Sequence, residues 1–152
     1  MKTLIVFYSR TGKTRKIAEE LAVKLKADFQ HITTPKNYQG VMGYLRGGKE
    51  AMKKVTPHIH VVHKDPMKYD MVIFGTPVWV GTMCPPIRTY MTKNKFKKVA
   101  FFATQGSANK QKVFDEMEKI SKKPIATMFL TTKEVVTNNY DSKLKEFVRR
   151  LK

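Results

Sequence analysis

Cysteine is nearly absent. Cys84 is the only one in 152 residues, so no disulfide can form within the chain. A reducing cytoplasm is the expected setting. Long apolar runs are missing too. None approaches the roughly 20 residues that a membrane-crossing helix needs, so no span is predicted. Lys2 leads straight into "TLIVFYS", which is too short for a secretory leader and reads as a first strand. Acid is scarce: 12 Asp and Glu stand against 30 Lys and Arg, a net charge of +18. That imbalance points to acidic partners, nucleic acid or an anionic surface, and says nothing about fold. The interleaved aromatic and basic patches of single-strand readers are not evident, which argues against nucleic acid. No convincing acid–base pair is present, so no catalytic side chain is predicted. His58, His60 and His63 lie close together, but only Asp65 is near them, so no metal site is predicted.

Repeats, linkers and low-complexity segments are also missing. One domain over residues 1–152 is expected, as a monomer or homodimer. Four stretches are almost continuously apolar: Thr3 to Ser9, Asp70 to Thr76, Lys98 to Thr104 and Ile125 to Thr131. Strands buried on both faces of a parallel sheet look like this. "DFQHIT" from Asp28 alternates more and suits an edge strand. Helical stripes lie between them, at Ile17, Leu21 and Leu25, at Val113, Met117 and Ile120, and at Leu144, Phe147, Val148 and Leu151. A short helix is expected after Pro85-Pro86. The Gly-interrupted stretch Tyr38 to Lys54 reads as partly helical. Strand and helix alternating five times give an α/β sheet wound on both faces. Ligands of such sheets bind beyond the carboxyl ends of the strands. The loops after Tyr8, Phe74 and Ala103 are therefore the candidates.

The first loop, Ser9-Arg10-Thr11-Gly12-Lys13-Thr14, joins a strand to a helix. Free amides and the positive end of the helix dipole favour an anion there. Ser9, Thr11 and Thr14 can donate hydroxyl protons, Gly12 admits close approach, and Arg10 and Lys13 add charge. "TGKT" resembles the end of a nucleotide-triphosphate loop, but Phe7 stands where that motif needs glycine. The paired-glycine dinucleotide pattern is absent as well. A single phosphate is the better occupant. The second loop, "GTPVWVGTMCPP" from Gly75, carries the only tryptophan, Trp79, which could stack on a planar ring. Cys84 within it reads as a small buried residue rather than a reactive thiol. The third, "TQGSANK" from Thr104, offers Gly106 and Ser107. One phosphate grip and two ring-facing loops describe a mononucleotide with a large flat head.

These residues resemble the flavodoxin-like family of short-chain, FMN-binding proteins. Ser9-x-Thr11-Gly12-x-Thr14 matches the family's phosphate loop, and "GTPVWVG" followed by "PP" resembles its ring loop. The similarity spans essentially the whole chain. It implies a flavodoxin-like doubly wound five-stranded parallel sheet in the order 2-1-3-4-5, with helices on both faces. It further implies FMN as cofactor. Ser9, Arg10, Thr11, Gly12, Lys13 and Thr14 would hold the phosphate. Pro77, Val78, Trp79, Val80 and Gly81 would flank the ring, and Gln105, Gly106 and Ser107 would touch its edge. The third loop offers no second aromatic to sandwich the ring. The implied role is electron transfer between redox partners, with an FMN-dependent NAD(P)H:quinone or flavin oxidoreductase as the alternative. The charge adds an acidic redox protein, such as a ferredoxin, as the expected partner.

Overall fold

The computed structural model describes residues 1–106 and 110–152. Its centre is a parallel sheet of β1 (Thr3–Phe7), β2 (Asp28–His31), β3 (Met71–Trp79), β5 (Val99–Gln105) and β6 (Thr127–Thr131). They lie in the order β2-β1-β3-β5-β6. Counted without the short β4 (Thr82–Met83), this is the expected 2-1-3-4-5 order. β4 is a sixth strand. It pairs antiparallel with the end of β3, off the main path.

Alternation along each strand sorts the side chains into two cores. Leu4 and Val6 of β1, with Val72 and Phe74 of β3, face α2 (Gly40–Met52), α3 (Pro85–Lys93) and α4 (Lys110–Ile120). Ile5 and Phe7, with Met71 and Ile73, face α1 (Lys13–Leu25) and α6 (Asp141–Leu151). Ile17, Leu21, Leu144, Phe147 and Leu151 come from those two helices, as their spacing predicts. Both sheet faces are covered, which is why the central strands read as continuous apolar runs.

Two details differ from the sequence reading and one sharpens it. The stretch from Gly75 is not all loop. β3 continues through Trp79, with Thr76 opposite Ala103 and Pro77 opposite Thr104 of β5. Pro77 fits because the pairing of β3 with β1 ends at Gly75, so Pro77 lies where that neighbour has stopped. Within Tyr38 to Lys54, the part that is helical is α2, Gly40–Met52, despite its glycines. A short α5 (Thr132–Val136) follows β6 directly, started by a capping box in which Thr131 and Glu134 bond each other's backbone. Among the described residues, no helix is long and apolar enough to cross a membrane.

Candidate functional site

The carboxyl ends of β1, β3 and β5 open on one cavity of about 600 Å³. Arg10, Thr11, Lys13 and Thr14 line it from the first loop, Pro77, Val78, Trp79 and Val80 from β3 and its turn, and Gln105 and Gly106 from the end of β5. The structure thus brings together ten of the residues singled out in the sequence. Ser9, Gly12 and Gly81 are not lining residues; they shape the turns behind it. Ser107 lies outside the described residues.

The first loop is held open rather than closed on itself. Gly12 sits in the left-handed region at φ 94° and begins α1 without a side-chain cap. Its own amide donates to Ser9 Oγ at 3.0 Å. A Cβ at Gly12 would meet nothing within 4 Å. The amides of the next turn are therefore left to an anion, which the helix dipole favours. Lys13 Nζ donates to Thr11 Oγ1 at 3.3 Å, so a cation stands over the loop. Thr14 is buried and shares a 3.0 Å hydrogen bond with Thr104 Oγ1, tying α1 to β5 beneath the cavity. Hydroxyls, free amides, a lysine and, among the described residues, no lining carboxylate make a donor set suited to an anion such as a monophosphate.

The opposite wall is a tight hairpin. Trp79 pairs with Thr82, so Val80 and Gly81 alone make the turn, both with positive φ, 51° and 76°. A type I′ two-residue hairpin demands this backbone, and glycine or asparagine usually supplies it. A β-branched valine in the left-handed region costs about 1–2 kcal/mol. Three hydrogen-bonding groups hold the return strand. Arg88 Nη2 donates to Glu116 Oε2 at 2.8 Å and to Thr82 Oγ1 at 3.1 Å, and Thr82 Oγ1 donates to the same carboxylate. Burial alone would raise the Glu116 carboxyl, but those bonds outweigh it and hold it below its ordinary value. Below them Cys84, fully buried, lies 3.3 Å from the Thr76 hydroxyl.

Trp79 is part of an aromatic wall. Tyr8 meets it edge-on at 5.8 Å, and Tyr38 lies at 5.2 Å. Gly47 of α2 fits beneath its ring, where a Cβ would come within 2.9 Å. Burial pushes the Tyr8 hydroxyl up to about 12, so this wall stays neutral. Thr104, from the third candidate loop, also lines the cavity, as do Tyr44, Gly48 and Thr132, which were not foreseen. Tyr44 adds an aromatic to the lining from outside the three loops. It comes from α2, and the Arg10 guanidinium lies 5.4 Å over its ring. Among the described residues no group of three His, Cys, Asp or Glu side chains could hold a metal ion.

Solved structures share the fold. A flavoprotein in complex with FMN from Lactobacillus acidophilus NCFM is 24% identical over 90% of this chain and 97% of its own, with a TM-score of 0.68. A candidate flavoprotein of Bacteroides uniformis ATCC 8492 is 21% identical over 97% of both chains, with a TM-score of 0.78. An apo NADH:FMN oxidoreductase is 14% identical over 99% of this chain and 86% of its own, with a TM-score of 0.61. At these identities the likeness is one of fold. Among curated proteins none matches the chain. A family model described as Flavodoxin matches residues 2–151, and the chain belongs to that flavodoxin family.

Proposed function

We propose that this chain, acting as one domain, binds FMN in the cavity and passes electrons between redox partners. The observation that carries the reading is the cavity itself. It has an uncapped, hydroxyl-rich loop at one side and an aromatic hairpin at the other. Its volume of about 600 Å³ falls in the ordinary range for a cofactor site. When bound, FMN supplies the redox chemistry. The residues supply binding, orientation and electrostatics. Ser9 to Thr14 grip the phosphate. Pro77 to Val80 form one wall, and Thr104 to Gly106 support an edge. Tyr44 with Arg10 stands at the mouth, where it can cover a planar ring. No proton-transferring side chain is needed for electron passage. The fold's similarity to an NADH:FMN oxidoreductase supports the second reading, an FMN-dependent NAD(P)H:quinone or flavin oxidoreductase. A reducing cytoplasm remains the proposed compartment.

The test is reconstitution. Added FMN is expected to lose its fluorescence on the protein and to comigrate with it as a yellow band in gel filtration. A colourless protein that leaves FMN free would overturn the reading. NADH or NADPH consumption with a quinone, at enzymatic rates, would favour the oxidoreductase over the carrier.

The lining also sets a direction for the potential. With Arg10 and Lys13 near and no carboxylate in the lining, extra negative charge on the cofactor meets attraction rather than repulsion. The reduction potentials of the bound group should therefore lie above those of sites walled by carboxylates. Spectroelectrochemical titration measures this, and equally low potentials would contradict it.

A further inference from the structure

Among the described residues, nothing packs on the outer face of α2. Val41, Met42, Leu45 and Met52 are 77, 75, 59 and 61% exposed on a helix whose opposite face, Gly43, Gly47 and Ala51, is packed down. Val41, Leu45 and Met52 fall at i, i+4 and i+11, one stripe along the helix. Gly48 joins that stripe to the cavity mouth, since Val80 lies 3.1 Å from where a Cβ would stand on it. Val80 is itself 54% exposed. An apolar stripe thus runs along α2 and, at Gly48, comes up to Val80 at the rim of the site. Grouped exposed apolar residues of this kind mark interaction surfaces.

The charge around the strip says what would sit on it. Between Asp28 and Asp65 the only acid is Glu50, and it is taken by Lys36 at 2.5 Å and by the Tyr38 hydroxyl at 2.5 Å. Arg46, Lys49, Lys53 and Lys54 remain on or just past the helix. A second copy would bring like charge against like, on a chain of +18. A lipid surface favours a helix with several Trp, Phe or Leu side chains on its apolar face, and α2 offers Leu45 alone of these. An acidic protein with an apolar centre is complementary in both respects.

We propose that the exposed face of α2, continued by Val80, is the docking surface for an acidic redox protein, which it seats at the mouth of the cavity. This rests on the flavin reading for its purpose, but docking itself does not need the cofactor. Apolar contact at the strip supplies specificity, and the basic flank supplies steering and salt dependence.

The test uses the full-length protein with and without FMN, titrated calorimetrically with an acidic [2Fe–2S] ferredoxin at low ionic strength. The variant is Val41→Ser/Leu45→Ser, two exposed positions away from the cavity lining. Affinity for the ferredoxin is expected to fall about tenfold, while FMN affinity, read by fluorescence, is unchanged. Added salt should weaken wild type and variant in parallel. No binding by the wild type, or equal binding by the variant, would overturn the proposal. So would a dimer seen in sedimentation that the variant abolishes, or adsorption to anionic vesicles in place of the protein partner. If FMN is not taken up yet the ferredoxin binds and the variant weakens it, the flavin reading fails and the docking surface stands.

Discussion

Arg88→Ala is expected to lose about 3 kcal/mol of unfolding free energy at neutral pH. The side chain is 6% exposed and its partner Glu116 14%, so removing the guanidinium leaves a carboxylate in a nearly dry site. An exposed pair would be worth at most about 1 kcal/mol. The loss depends on pH in a definite sense. In the wild type the Glu116 carboxyl is held below its ordinary value, net of burial, by Thr82 and Arg88. Its contribution is present above the unfolded carboxylate range and is lost as pH falls through the folded value. In the variant the guanidinium's share of that lowering is gone, so the carboxyl protonates more readily. The deficit should therefore be largest at neutral pH and shrink in acid. Denaturant unfolding on both sides of the carboxylate range measures it. A deficit under about 1 kcal/mol, or one flat in pH, would show that the pair behaves as a surface pair. Arg88→Met/Glu116→Leu should recover much of the loss, because no orphan charge remains.

Gly12→Val should weaken FMN binding about a hundredfold, the worth of roughly two charge-assisted hydrogen bonds. Gly12 holds φ at 94°, and valine there costs about 1–2 kcal/mol. The chain has room for the new side chain, since nothing lies within 4 Å of the Cβ position. The damage is to the backbone that presents the amides of Lys13 and Thr14, and to anything seated on the loop. Melting temperature should fall modestly while affinity falls steeply. Undiminished affinity in a folded variant would remove the phosphate from this loop. Ser9→Ala/Thr11→Ala, without the backbone penalty, guards against a variant that fails to fold.

Much of this was legible in the sequence because buried parallel strands carry their signature in composition. Leu4 to Phe7, Val72 to Phe74 and Ala100 to Ala103 are apolar at every position because helices cover both sides. The first loop was legible because its chemistry is local. Tyr44 was not, because only the crossover through α2 brings it to Arg10, 34 positions before it in the chain. The hairpin misled for a different reason. Pro77 read as a turn residue but lies within β3, while Gly81 shares the turn with Val80, which local turn preference would not place at a positive φ. The short α5 is below the length at which periodicity speaks. Its signal was Thr131 with Glu134 three residues on.

Cys84 gives the molecule a built-in clock. Burial pushes its thiol up to about 12, and it lies at the junction of the hairpin and α3. In the closed state almost no thiolate is exposed to an alkylating or disulfide reagent. Modification then has to wait for that junction to part, so the rate of thiol capture reports how readily the wall opens. The chain thus carries a native reporter of its own breathing, without any added label. A partner or cofactor that braces the hairpin will slow that clock.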